Sequence, residues 1–205
     1  IYDYRIVKDR LEEYLSEFEI KQKFNYDIAE ESLDQYDFII NSSYSGINDV
    51  NRLINVPLIR TKLQDVIIPI FESKQERVGL TIMDGPYCSI MPKGFDKNKF
   101  LLYHVVHSVA SQTIDGNLNM NCDVEEQIDK IYNESEKYYP FLKNTTRCGF
   151  WRTPRVLPIN DNDQRLSELY YNKNYPKVVS VLSGKVSTCW TTALKVKKLI
   201  QNGAL

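Results

Sequence analysis

The segment Lys177–Ile200 (KVVSVLSGKVSTCWTTALKVKKLI) constrains the fold most, because its periodicity changes once, in the middle. Val178, Val179, Val181 and Leu182 form a β-branched and bulky run of strand length. Ser183-Gly184-Lys185 breaks that run. From Ser187 or Thr188 the spacing is helical: Cys189, Ala193, Val196 and Ile200 share a stripe, with Trp190, Leu194 and Leu199 beside it. Lys195, Lys197 and Lys198 lie late in this helix, where cations suit the dipole, and Gly203 can end it. A strand feeding a glycine turn and then a helix leaves backbone N–H groups open toward whatever lies above the turn. Many α/β proteins have this geometry with nothing bound, so it marks a place for a ligand without requiring one.

Earlier segments extend the pattern. Asp9-Arg-Leu-Glu12 has capping-box spacing, and Leu11, Tyr14, Leu15 and Phe18 follow at helical intervals, which predicts a helix from Asp9 to Glu19. A strand is expected over 20–26 and a turn at Leu33-Asp34. A second strong strand, Tyr36–Asn41, ends in Ser42-Ser43-Tyr44-Ser45-Gly46. This order points to part of a parallel layered sheet, to which the closing strand and helix would also belong.

Between these parts the character changes. Residues 60–71, 78–84 and 99–108 are β-rich, and the links Glu72–Arg77 and Pro92–Asn98 have hairpin length, favouring antiparallel neighbours. A helix over 123–139, capped by Asp123 and stopped by Pro140, should cover one face of this sheet. Thr146–Asn160, rich in Arg, Pro and Trp, shows no period and reads as irregular structure beside a pocket. The fold class is therefore α/β and α+β: a layered α/β part from 1–56 and 157–205, and an inserted, largely antiparallel sheet domain from 57–156.

With 26 basic and 27 acidic residues, the charge balance recruits no nucleic acid. No apolar run reaches membrane-spanning length. Cys88, Cys122, Cys148 and Cys189 form no CxxC, so zinc-knuckle and thioredoxin-like chemistry is not expected, and free cytoplasmic thiols are the default. The sequons at Asn41, Asn133 and Asn144 would matter only in a secreted protein. The chain opens at Ile1, which suggests an excised fragment or a longer protein lacking its first part.

Few residues are equipped for chemistry. His104 and His107, the only histidines, would face opposite sides of a strand and could not share a metal, so they read as structural, though either would suit acid–base work if it faced a pocket. No metal site is expected. Asp84-Gly85-Pro86 interrupts a strand pattern, either as a tight turn or bulge or to set Tyr87, Cys88 and Ser89 against a substrate. Cys88 as a nucleophile would need a base that no motif identifies. Arg147, Arg152 and Arg155 surround Trp151 and Pro154; their forks suit carboxylates or phosphates, and equally suit internal ion pairs. GxSxG and HExxH are absent, which argues against a hydrolase.

Taken together, YDFIINSSYSG, GLTIMDGPYCSIMP, FLLYHVVHS and VVSVLSGKVSTCWTTA, in that order, resemble the latter part of the FAD-dependent oxidoreductases of the D-amino-acid oxidase and glycine oxidase class. The resemblance spans nearly the whole chain. It implies that Ser45 and Gly46, with Gly184, Lys185, Val186 and Ser187, approach an FAD, and that the middle sheet roofs the flavin ring. It also makes Tyr87, His104, His107, Arg147, Arg152 and Arg155 substrate-pocket candidates. The sequence has no GxGxxG, the motif that lays the FAD pyrophosphate on a helix N-terminus, and only Gly184 is glycine in the late turn. The implied protein is a flavin-dependent oxidoreductase of a small amine, amino acid or hydroxy acid. Its N-terminal dinucleotide-binding unit would be missing here, and this chain alone would be inactive. The alternative is a non-catalytic binding or scaffold domain that has lost flavin or completes a pocket with another chain.

Overall fold

The computed structural model describes residues 4–159, 167–183 and 185–201. They divide into two compact units, one of residues 1–24, 65–111 and 119–153, the other of residues 25–64, 112–118 and 154–205.

The first unit begins with α1 (Tyr4–Ser16). Asp9 is interior to it and not its cap, because Arg5–Lys8 contains no breaker and pairs such as Lys8–Glu12 (3.4 Å) tie the first turns together. The strand expected over 20–26 does not form: its residues are exposed and Asn25 takes a left-handed φ of 52°, which ends any extended run.

The main sheet has the order β3-β4-β5-β2-β6, with β7 also paired to β2. Its strands are β2 (Thr61–Glu72), β3 (Leu80–Thr81), β4 (Cys88–Pro92), β5 (Lys99–His104), β6 (Val109–Ile114) and β7 (Thr146–Pro158). The Pro92–Asn98 link is the expected hairpin, pairing Pro92 with Phe100 and Cys88 with His104. The Glu72–Arg77 link is not. It leads to β3, while β2 lies antiparallel to β5, so the chain crosses over. Thr146–Asn160 is also corrected, since most of it is β7. The first half of that strand is exposed and carries Arg147, Gly149 and Arg152, so no hydrophobic alternation advertised it.

Helix α3 (Val124–Ser135) covers this sheet. The Asp123 side chain caps it by accepting from Glu126 N at 3.1 Å, as its spacing predicts. The helix ends at Ser135 and not at 139; Tyr138 and Tyr139 N–H groups donate back to the Ser135 carbonyl in a closing turn. Ile128, Ile131 and Tyr132 meet Ile67, Phe71, Cys88, Ile90, Phe100 and Leu102 in one core. Phe71 and Phe100 stack with centroids 5.4 Å apart.

The second unit holds a three-stranded sheet of order β1-β9-β8, from β1 (Ile39–Asn41), β8 (Glu168–Tyr171) and β9 (Val178–Leu182). β1 and β9 are parallel, with Ile39 opposite Val178, as the layered-sheet reading expects; β8 is antiparallel to β9. A single turn at Tyr44–Gly46 runs into α2 (Ile47–Leu53), and another at Val186–Thr188 runs into α4 (Cys189–Gln201). Asn41 and Ser180, on one face, bond to Asn51 of α2; Ile40 and Val181, on the other, line a groove with α4. Helices therefore flank both faces. The core here is small: Ile47, Ile59, Val156 and Leu182, with Leu63 and Tyr170 against them.

Among the described residues no helix is long and apolar enough to cross a membrane.

Candidate functional site

Ligands of parallel α/β sheets sit beyond the carboxyl ends of the strands, and in the second unit both parallel strands end in short polar turns. After β1, Asn41 is buried; its Oδ1 accepts from Ser43 Oγ at 2.6 Å and Ser43 N at 3.2 Å, and its Nδ2 donates to Ile47 O at 2.9 Å. This ties the turn to the start of α2. Tyr44 is held at φ 55°, a strained setting for a bulky residue. Gly46, at φ −88°, needs no glycine for its backbone, and a Cβ there would meet nothing closer than Ser43 at 3.8 Å.

After β9 the chain passes Ser183 into the turn Val186–Thr188. Gly184 lies outside the described residues. Lys185, Val186 and Ser187 are exposed, and no side chain caps the turn they open. Ser167 Oγ lies 2.8 Å from Ser183 Oγ and 2.5 Å from Thr188 Oγ1, pinning both sides of the turn. Backbone N–H groups without a side-chain cap can meet a hydrogen-bond acceptor. Beside this turn, Ile40, Val181, Ala193, Val196 and Ile200 line an apolar groove of about 510 Å³.

The six substrate-pocket candidates do not converge. Tyr87 packs edge-on against Tyr138 with centroids 5.2 Å apart, and its ring lies over Gly85, where a Cβ would come within 2.4 Å of it. Here Asp84-Gly85-Pro86 is a tight turn: Asp84 sits at φ 63° and Tyr87 N donates to Gly85 O at 2.8 Å. Cys88 is buried, and burial pushes its thiol up, which suppresses nucleophilicity.

The histidines do not alternate across a strand. β5 ends at His104 and a turn brings His107 back, so the rings lie 4.6 Å apart. His104 Nδ1 accepts from Val106 N and His107 N, both at 3.2 Å. Burial, and then the neighbouring His107, push His104 below the usual histidine range. The amides and the shift agree in favouring neutral imidazole. Among the described residues no cluster of three or more His, Cys, Asp or Glu side chains could hold a metal ion.

The arginines have separate tasks. Arg147 pairs with Asp129 at 2.5 Å and lies 4.2 Å from the Tyr132 ring centroid. Arg152 grips the fully buried Asp65 through Nε (3.0 Å to Oδ1) and Nη2 (2.7 Å to Oδ2), and also donates to Met120 O. Arg155, in the second unit, donates to Gln64 Oε1 from Nε at 2.9 Å and Nη2 at 2.6 Å. Asp65 escaped the sequence reading because a lone acid in an apolar strand carries no motif. The α4 groove was half legible, since the stripe Cys189, Ala193, Val196 and Ile200 was read but not its partial coverage.

No family model matches the sequence, and no curated protein matches it. Solved structures do. An FAD-dependent oxidoreductase, PA4991 from Pseudomonas aeruginosa, superposes with a TM-score of 0.56 at 13% identity, covering 82% of this chain and 46% of its own. Glycine oxidase from Geobacillus kaustophilus gives 0.54 at 11% identity, covering 80% and 41%. Glycerol-3-phosphate dehydrogenase from Bacillus halodurans, solved with FAD, gives 0.55 at 16% identity, covering 82% and 32%. The chain spans less than half the length of each. Its mixed α/β fold is one that these FAD-dependent oxidoreductases contain as a part of themselves.

Proposed function

We propose that this chain is part of a flavin-dependent oxidoreductase that oxidises a C–N or C–H bond of a small amine, amino acid or hydroxy acid. The observation that carries the reading is the parallel β1–β9 pair. Its carboxyl ends open on two turns without side-chain caps, in a fold shared with three FAD-dependent proteins. In this reading 1–56 and 157–205 are the FAD-side layer, and 57–156 is the substrate-side insert. The remaining dinucleotide-binding residues come from polypeptide beyond these 205 residues or from another chain.

The residues present fit the pyrimidine end of a flavin: the amides of Lys185, Val186 and Ser187 would hold it from one turn, and Ser45 and Gly46 would border it from the other. Bound there, FAD would supply the hydride acceptor. The protein's own part is orientation and charge complementarity. Tyr87, His104, His107, Arg147, Arg152 and Arg155 stand as separate candidates for substrate contact, each in its own surroundings. Arg147 and Arg152 already hold protein carboxylates, and freeing Arg152 would leave the buried Asp65 unpaired, so neither argues for an anionic substrate.

The test is the visible spectrum of the natural full-length protein. Oxidised flavin absorbs at roughly 370 and 450 nm, and anaerobic bleaching by an amine or hydroxy acid would establish the reaction class. A colourless protein that takes up no added FAD would overturn the reading in favour of a binding or scaffold domain, an outcome to which the non-glycine residues Lys185, Val186 and Ser187 lend weight.

A further inference from the structure

A concavity lies at one end of the first unit's core. Phe71 stands opposite Phe100, and Leu80 opposite Ile90, on neighbouring strands of the main sheet. With Val78 and Phe141 they line a space of about 260 Å³. Phe71, Ile90 and Phe100 are its buried end, while Val78 and Leu80 are 45% and 42% exposed. Apolar side chains left in water around a concavity gain by being covered.

A second space of about 640 Å³ adjoins the first, and Gln75, Glu76 and Phe141 line both. Its other lining residues are polar: Glu72, Ser73, Lys74, Asn98, Asn144 and Thr146. The segment between the two spaces is tied down. Ser73 N donates to Asn98 O at 2.9 Å, and Arg77 donates to Asp96 O at 2.5 Å and also to Gly94 O. Glu72 has Lys99 at 4.0 Å, whereas Glu76 has no ion-pair partner among the described residues. Glu76 is thus a carboxylate without a cation, at the junction of a phenylalanine-lined space and a polar one. None of the six substrate-pocket candidates lines either space.

We propose that these joined spaces bind a small amphipathic amine, its aromatic or branched apolar group among Phe71, Phe100 and Phe141 and its ammonium at Glu76. Shape sets the tail. A cavity of about 150 Å³ suffices for benzene, so the apolar space takes a phenyl ring with a short chain. Charge sets the head, because Glu76 supplies a counter-ion and phenylalanine faces attract a cation. An anionic head would meet Glu72 and Glu76 with Lys74 alone to offset them. The polar space leaves room for water on the remaining ammonium N–H groups. This site goes beyond the flavoenzyme reading and holds with or without a flavin.

The probe is para-fluorophenethylamine, followed by its fluorine NMR signal in an anaerobic titration of the natural full-length protein. The neutral and anionic counterparts are para-fluorophenethyl alcohol and para-fluorophenylacetate. The amine should bind at about millimolar concentration and the alcohol roughly tenfold more weakly, while the acetate should not bind. Glu76→Gln, at an exposed position, should bring the amine to the level of the alcohol, a loss of about tenfold. Val78→Arg sets a cation beside Glu76 at the exposed mouth and should abolish binding of both. A far-UV circular dichroism spectrum like that of the wild type establishes that each variant is folded. Amine binding untouched in both folded variants would overturn the proposal, by placing the amine elsewhere. Equal binding of amine and alcohol to the wild type would also overturn it, since Glu76 would then recognise nothing. So would the absence of amine binding at roughly ten times the expected concentration.

Discussion

In the first unit α3 lays Ile128, Ile131 and Tyr132 onto strands that bury Ile67, Phe71, Cys88, Ile90, Phe100 and Leu102. In the second unit α4 covers only part of a sheet whose heart is polar, Asn41, Asn51 and Ser180 bonded to one another. The first buries fourteen hydrophobics among the described residues. Among the described residues the second buries seven, four of them in one cluster, and beside them lie an outer side of β1 that pairs with no described strand and an apolar groove. Conformational entropy per ordered residue is similar in both, while apolar burial differs widely. The contrast teaches that the first unit is held mainly by apolar packing, whereas the second leans more on its hydrogen-bonded polar heart.

The largest effect should come from the one place where the first unit buries a charge. Arg152→Met leaves Asp65, whose side chain is fully inaccessible, without its cation. Breaking a buried pair from one side costs about 3–5 kcal/mol. A urea titration followed by far-UV circular dichroism should show the unfolding free energy fall by most of that amount, with a correspondingly lower midpoint. An unchanged midpoint would mean that the first unit is not closed around this pair.

A smaller loss is expected from the polar heart of the second unit. Asn51 Oδ1 accepts from Asn41 Nδ2 at 2.7 Å and Ser180 Oγ at 2.8 Å, and its Nδ2 donates to Pro57 O at 3.2 Å. Asn51→Ala strands these partners at about 1–3 kcal/mol. Trp190 sits in this unit and Trp151 in the other. Single-tryptophan variants therefore report each unit separately, and the loss should appear through Trp190 first. Equal loss through both would show the two units to unfold as one.

The sequence displayed the parts of the fold that carry periodicity. The β9–α4 unit was legible because valines give way to a helical stripe, and α3 because Asp123 and Glu126 sit at capping distance. The strands Ile39–Asn41 and Lys99–His104 were legible inside longer expected segments, Tyr36–Asn41 and 99–108, of which the first three and the last four residues are not strand. What failed had a physical cause each time. β7 is half exposed, so no apolar alternation signalled a strand across Arg147, Gly149 and Arg152. α2 is seven residues long, too short for a stripe. Residues 20–26 alternate without a neighbouring strand to pair with. The site was less legible still, since Arg152 and Asp65 are 87 positions apart and only the fold joins them. The His104–His107 pairing hung on a turn at residues 105–108 that an apolar run concealed.

That turn gives the first unit a pH response. His104 is held below the ordinary histidine value by burial and by His107, with Glu134 opposing and Lys137 assisting. The folded state thus favours neutral imidazole and the unfolded state takes up the proton first. The contribution is complete above the unfolded histidine value of about 6.5 and is lost as pH falls from there through the depressed folded value. Thermal midpoints read through Trp151 should decline below about pH 6.5, and His104→Gln should remove that part of the slope while leaving the Trp190 signal unaltered. A slope that survives the substitution would place the titrating group elsewhere.

The smallest effect tests how tightly the first unit is closed at its rim. A methyl at position 85 would meet the Tyr87 ring at 2.4 Å, and the ring is the part free to move. Gly85→Ala should swing Tyr87 off Tyr138, forfeiting an edge-to-face contact of about 0.5–1.5 kcal/mol. The buried neighbour Cys88 is fixed through the ladder to His104 and need not follow. Near-ultraviolet circular dichroism should therefore lose tyrosine intensity with little change in the urea midpoint. If the midpoint instead falls by as much as in Arg152→Met, Tyr87 belongs to the sealed interior. If neither signal moves, the rim is already loose, and the first unit is less closed than its core implies.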